Sequence, residues 1–376
     1  MYLALFFHDS HPLWPNKVSV SNHKGVKQAL SSYRYPKSED KNTYKILAEN
    51  TFATSNEDFN RLRRKQFGQI FNQSGIRHLE NVVLEYGYLN LKAKMDRLSR
   101  SGINRINYYS SFQNSTVDTI SKLCFGRSFN TTKEGKSRYV EYAVSTIKLS
   151  VLENYGYVPG VIPFFFSKLG KDRDELFKFI KESVDNRKVE FESGTVESNQ
   201  DILHMYLNSV NLDGKKLSEI QVISETIVVF LAGADSTSCT MSVVLHILLL
   251  YPEIFNKIVN EVRTQFTEKS KSIEYREAKT KLPYLIACIY ESMRIMSVAV
   301  GLVFRDSSDF GMEIAGHQIP KSVEVGLSLS LSGHDPSVWD SPEKFTPERF
   351  LGPEGESRKK EVLLFSHGVR SCPGKK

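Results

Sequence analysis

From Ser218 up to Pro252 no proline interrupts the sequence, and Ser218-Glu-Ile-Gln221 has the pattern of a capping box. The spacing predicts one helix of about 33 residues, roughly 50 Å long at 1.5 Å per residue. Thr226–Leu250 is long and apolar enough to compete as a transmembrane span. Against that, Asp235, Ser236, Thr237 and Ser238 fall in its middle, where hydrocarbon penalises polar groups. The favoured reading is a buried central helix carrying a polar break, and the break needs a chemical reason.

Around that helix the pattern is mostly helical. Arg61 to Glu85 reads as charged helices, while Ser115 to Cys124 and Tyr139 to Leu152 carry apolar residues at three-and-four spacing. Asp174 to Arg187 places Leu176, Phe177 and Ile180 on one helical face, and the polar stretch Glu192 to Asn199 reads as a loop. Strand signals are short: Lys17–Val20, Glu313–Ile314, Gln318–Ile319 and Val323–Val325. The expected fold is mainly α with small β-sheets at its margins, as one domain over residues 1–376. With 40% hydrophobic and 25% charged residues the chain has the make-up of a globular protein, which excludes a disordered one.

The net charge of +7 is spread along the chain, without zinc-finger spacing or an aromatic–basic recognition motif. Nucleic acid is therefore not an expected partner. A solvated surface is the plain reading of the charge, and a basic face for an acidic protein or an anionic membrane surface is the alternative. Cys124, Cys239, Cys288 and Cys372 lie far apart with no CxxC pair, so a disulfide framework or structural zinc site is not expected and a reducing compartment fits. Met1 to Phe7 is apolar but ends at Asp9 and His11, far short of a span and without a signal-peptide pattern.

Three constellations carry chemistry. The first is Phe365-Ser-His-Gly368-Val-Arg370-Ser-Cys372-Pro-Gly374. Cys372 can give a metal an anionic soft ligand, and a thiolate on haem iron favours O–O cleavage. Gly368 and Gly374 allow tight turns and close approach to a flat macrocycle. Nearby amides can hold the sulfur deprotonated, and Arg370 can donate to a propionate. A loop with a stray cysteine is the bland alternative, and five spaced matches in ten residues weigh against it. A thiol nucleophile at Cys372 with His367 as base lacks an orienting acid in the motif.

The second is Ala232-Gly233-Ala234-Asp235-Ser236-Thr237 inside the long helix. Gly233 leaves space on a helix face for a diatomic ligand, and an acid beside an alcohol can pass protons to a distal oxygen. The open alternative is a small-residue helix crossing with Ser and Thr bonded to carbonyls. The third is Glu291-Ser-Met-Arg294, whose spacing puts carboxylate and guanidinium one turn apart. A surface ion pair is the common explanation of such a pattern. Arg349, in Pro347-Glu-Arg349-Phe350, offers a third member for a buried triad locking the cysteine loop, and charges are buried only when paired in this way.

In this order, these motifs resemble the cytochrome P450 superfamily in its eukaryotic microsomal, fungal style, from about Val18 to the last residue. The resemblance implies that Cys372 is the proximal ligand of haem b (iron protoporphyrin IX), within a cradle of Phe365, Gly368, Arg370 and Gly374. It implies Glu291, Arg294 and Arg349 as a structural triad, and Asp235, Ser236 and Thr237 as the catalytic segment of oxygen activation. Arg64 and Arg305 match propionate partners. His334-Asp-Pro336, Gly316-His-Gln-Ile-Pro320 and Val117-Asp118…Phe125-Gly126 are supporting marks.

The activity so implied is RH + O2 + 2e– + 2H+ → ROH + H2O on a lipophilic small molecule. Electrons would come from an NADPH-cytochrome reductase at the cytosolic face of the endoplasmic reticulum membrane. Val229–Ala234 and Val298–Val303 are the expected pocket walls. Tyr155–Phe166 matches a loop that dips into membrane, with a buried interhelix loop as the plainer reading. Departures are Ser236 where Thr is usual, and Asn60 where a ring or imidazole is usual. A membrane anchor, the first sheet strands and a segment beyond the cysteine loop are expected of the family and not found in the chain. The rival reading is a non-catalytic truncated remnant that binds haem weakly or not at all.

Overall fold

The structure, a computed structural model, describes residues 10–14, 16–38, 46–71, 73–135, 138–154, 163–193, 201–268 and 272–375. The chain forms two compact units: Met1–Ser38 with Cys239–Lys375, and Glu39–Ser238. In chain order, the elements that matter for the site are strands β1 (Ser10–Trp14) and β2 (Lys17–Val20), then helices α1 (His23–Leu30), α2 (Glu57–Phe67), α3 (Tyr108–Phe125), α4 (Arg138–Asn154), α5 (Pro163–Glu192) and α6 (Glu219–Leu250). After them come α7 (Pro252–Gln265), α8 (Pro283–Ile295) and strands β3 (Leu302–Asp306), β4 (Met312–Ile314), β5 (His317–Ile319) and β6 (Glu324–Ser328). The mainly helical class with small sheets is the observed one.

The unit of residues 39–238 is helical because its helices start and stop where side chains satisfy loose backbone groups. Asn56 caps α2 through the amides of Asp58 and Phe59, and Asn107 caps α3 through that of Ser110. Helix α3 ends at Gly126, whose φ of 70° suits glycine. A Cβ there would also lie 2.8 Å from Asp201 Oδ2 and 3.0 Å from Arg187 Nη2. Those two side chains form a buried ion pair at 2.7 Å. Two turns back from the helix end, Asp118 accepts from the amides of Thr131 at 2.7 Å and Thr132 at 2.9 Å. The supporting mark Val117-Asp118…Phe125-Gly126 is thus a pair of caps in this chain. The apolar core joins α3, α5 and α6 through Val117, Ile120, Leu176, Ile180, Ile227 and Phe230.

In the other unit a four-stranded sheet runs in the order β1-β2-β6-β3, with β2 parallel to β6 and the other pairs antiparallel. Strands β4 and β5 make a separate hairpin. Every strand expected from the sequence is present. Strands β1 and β3 are additional: Leu-Val-Phe-Arg-Asp of β3 has too short an alternation to stand out, and its pairing with β6 decides it. Helices α7 and α8 begin with proline at the first position, where the missing amide costs nothing.

Two expectations change. The long helix forms where predicted, with Ser218 and Gln221 exchanging capping bonds, but it is unbroken from Glu219 to Leu250. Its polar middle is absorbed by side-chain bonds to carbonyls rather than by an interruption. The amphipathic segment Asp174–Arg187 is the interior of the 30-residue α5. Of the stretch Tyr155–Phe166, only the part from Pro163 onward is described, and it opens α5. Residues 1–7 and 194–199 lie outside the described residues.

Candidate active site

The cysteine loop is built mainly by backbone. After the short turn Leu363–Phe365, Ser366 takes φ 59° and ψ −172°, a region glycine enters freely and other residues enter at a cost. Gly368 follows at φ 67°. The amide of Cys372 then donates to the carbonyl of Phe365 at 2.8 Å, closing the loop on itself, and Ser371 donates to Gly368 at 3.1 Å. Gly368 is needed for a neighbour inside the protein: a Cβ there would lie 2.3 Å from the carbonyl oxygen of Leu30, at the end of α1. The close approach expected to a macrocycle is, at Gly368, an approach to helix backbone. At Gly374 the nearest atom is Cys372 Sγ, 3.7 Å from a Cβ position, so that side stays open.

Cys372 is the exposed cysteine of the four. Burial pushes the Cys288 thiol up to about 12 and that of Cys124 well above its ordinary value, so both remain protonated and inert. Phe365 and Arg370 are half-buried. Burial, with the ammonium of Lys27 next in size, holds the His367 imidazole below its usual range.

The predicted triad residues are brought together in the same unit. Arg294 on α8 makes a two-pronged pair with Glu291, at 2.7 and 2.8 Å, and both side chains are fully buried. Arg349 reaches the same carboxylate at 3.1 Å, and the amide of Thr346 adds a bond at 2.9 Å. The remaining donors of Arg294 go to the carbonyls of Gly333 at 2.6 Å and Lys344 at 3.3 Å. The surface-pair explanation fails here. Two cations share one carboxylate, and backbone carbonyls supply the rest of the negative field that burial demands. Arg305 is also buried, on β3, and donates to the carbonyl of Phe304 at 3.1 Å.

In the other unit the middle of α6 shows both readings given to it. Ser236 Oγ donates back to the carbonyl of Ala232 at 2.6 Å and Ser238 Oγ to that of Asp235 at 2.9 Å, the carbonyl-bonded hydroxyls of an ordinary helix crossing. Gly233 is the crossing point. A Cβ there would lie 2.7 Å from Ile120 Cδ1, so α3 uses the space expected for a diatomic ligand. Yet Ala232, Ser236 and Thr237 are exposed, beside the buried Leu231, Ala234 and Ser238. Asp235 faces an apolar cavity lined by Gln113, Val117, Ala143 and Leu231. Arg64 is half-buried on α2, while its neighbour Arg63 is fully buried beside Glu225 at 3.5 Å. Burial holds Glu225 above the usual carboxylate range and Arg63 below its ordinary value.

The sequence profile of the family described as Cytochrome P450 matches residues 10–376. The chain belongs to the cytochrome P450 family. It is 30% identical to the cytochrome P450 monooxygenase helB1 of Aspergillus fumigatus, covering 96% of this chain and 63% of that protein. The cytochrome P450 monooxygenase helB3 of the same fungus is also 30% identical, over 98% of this chain and 73% of its own length. The chain thus spans less than two thirds of the length of the first of these relatives. In fold it is similar to the haem domain of cytochrome P450DA, with a TM-score of 0.79 at 18% identity, covering 95% of this chain and 77% of that one. The superfamily and the fungal style inferred from the motifs agree with these relatives.

For a P450 the question is whether the residues present fit a haem. Cys372 offers one exposed thiol on a self-closed loop, with the Gly374 side open beside its sulfur. A single accessible soft donor is what a porphyrin iron would take from the chain, so the residue present fits. Sequence reasoning missed Thr116, whose hydroxyl donates to the carbonyl of Ala234 at 2.8 Å, and the buried Arg63–Glu225 pair. A lone threonine or arginine on a helix carries no local signal of a partner 118 or 162 positions away.

Proposed function

We propose that the whole protein is a haem-thiolate monooxygenase that inserts one atom of O2 into a lipophilic small molecule. The observation carrying this reading is the self-closed loop that presents Cys372 as an exposed thiol in a chain of the P450 family. Bound haem b supplies the oxygen chemistry, and the protein holds and shields it. Cys372 is its thiolate ligand. Phe365, Gly368 and Gly374 shape the cradle, and Arg64, Arg305 and Arg370 donate to the propionates. Glu291, Arg294 and Arg349 fix the segment that leads into the cysteine loop. Asp235, Ser236 and Thr237 would hold and pass protons, Ser236 and Thr237 being exposed residues.

Residues 1–376 act as one haem-thiolate domain in this reading. Electrons come from an NADPH-cytochrome reductase, and the site of action is the cytosolic face of the endoplasmic reticulum membrane, as in the microsomal members the motifs resemble. The lipophilic substrate class is supported by the apolar stretch Val298–Val303, in which Val300 is 75% exposed. By length and composition α6 could cross a membrane. Its buried Glu225, which accepts from Thr51 at 2.8 Å and sits by Arg63, favours a core helix instead.

The test is the reduced carbon monoxide spectrum of the full-length, haem-loaded protein. A Soret band shifted far to the red is expected, and Cys372→Ser should abolish the shift. A protein that takes up no haem supports the remnant reading, and an unaltered spectrum in the serine variant overturns the thiolate assignment.

A further inference from the structure

Helix α3 meets the polar middle of α6 through two side chains one turn apart. Ile120 fills the space over Gly233, so closely that a single added carbon would lie 2.7 and 2.9 Å from its side chain. Thr116, on the same face of α3 at i−4, is buried, and its one hydroxyl proton faces two carbonyls, that of Ala234 at 2.8 Å and, farther off, that of Gln113 in its own helix at 3.0 Å. A carbonyl oxygen has two lone pairs, so it can accept this bond in addition to the helix's own. The carbonyl of Ala234 and the amide of Asp235 belong to one rigid peptide plane. The hydroxyl of Thr116 therefore grips the plane from which Asp235 springs, while Ile120 fixes the depth of the residue before it.

Resting on the haem reading above, we propose that Thr116 is a positioning residue for the Asp235–Thr237 segment. It sets the rotation of α6 at the point where acid and alcohol act. Three observations carry this beyond packing. The carbonyls of Ala232, Ala234 and Asp235 each accept a side-chain hydroxyl, from Ser236, Thr116 and Ser238. Of those three donors Thr116 is the one that comes from another helix, so its bond refers the segment to the frame of α3. And the segment is exposed at Ala232, Ser236 and Thr237 while its α3 side is filled by Ile120 over Gly233 and by the buried Thr116.

The experiment compares Thr116→Val, which keeps the shape and removes the donor, with Thr116→Ser, which keeps the donor, and with the packing control Ile120→Val. All are made in the full-length haem-loaded protein, with carbon monoxide as the probe. The infrared stretching band of carbon monoxide on the reduced protein should shift or split in Thr116→Val and return to the wild-type position in Thr116→Ser. Amide exchange over residues 232–238 should quicken about fivefold in Thr116→Val, the scale of one net hydrogen bond. Should the valine variant not accumulate folded, Thr116→Cys, a weak donor, replaces it. The proposal is overturned if Thr116→Val keeps the wild-type band and exchange, or if Ile120→Val changes both as much. Lower melting temperature and haem content with an unmoved band also overturn it, since they mark a merely structural tie. Failure of the haem reading is distinguished by the wild-type protein itself, which would then bind no carbon monoxide; the proposal falls with it.

Discussion

The cysteine loop and the middle of α6 are held by different physics. Around Cys372 the constraints are backbone and charge: a loop closed by its own amide, a glycine pressed against the backbone of Leu30, and a carboxylate shared by two buried or nearly buried arginines. Around Asp235 they are soft: hydroxyls on carbonyls and an isoleucine over a glycine. Constraints of the first kind admit one residue type and leave a motif. Those of the second admit several and leave little trace.

The comparison breaks first at the triad. Glu291→Ala leaves Arg294 buried without its carboxylate, at an expected cost of about 3–5 kcal/mol. Chemical denaturation should show a loss of that size, and Arg294→Lys should not restore the two-pronged geometry. A variant within about 1 kcal/mol of wild type would show that the triad is no stiffer than the α6 contacts.

The two glycines sharpen the contrast. Gly368→Ala sets a methyl against backbone at a positive φ, so a loss of about 1–3 kcal/mol is expected and no single neighbour can relieve it. Gly233→Ala meets the side chain of Ile120 at Cδ1 and Cγ1, so Ile120→Val, which removes Cδ1, should recover part of a loss of about 1–3 kcal/mol. A double-mutant cycle on thermal unfolding checks this, with zero coupling as the contrary outcome.

The smallest effect is a gain. Ser366 occupies a conformation that glycine adopts without strain, so Ser366→Gly should stabilise by up to about 1 kcal/mol after the flexibility of glycine in the unfolded chain is set against it. A lowered melting temperature would mean that the loop is relaxed as it stands.

Much of the fold was legible because it is written locally. The proline-free stretch from Ser218 to Tyr251 and its capping box act within a few residues of themselves. Strand β3 was not legible: its five residues become a strand by pairing with β6. The Glu291–Arg294–Arg349 set was readable from spacing, and the fold joins it. The fully buried Arg63 beside the half-buried Arg64 was not, since adjacent arginines differ only in the helix face the fold covers.

The sequence by itself determined the long α6 with its capped start, the four strands read from their apolar pattern and the family, because these depend on residue type and spacing along the chain. Only the tertiary structure decided what Gly233 and Gly368 make room for, and which threonine meets Ala234. Such contacts join residues far apart in the chain, and the free energy that selects them exists only once the helices have packed.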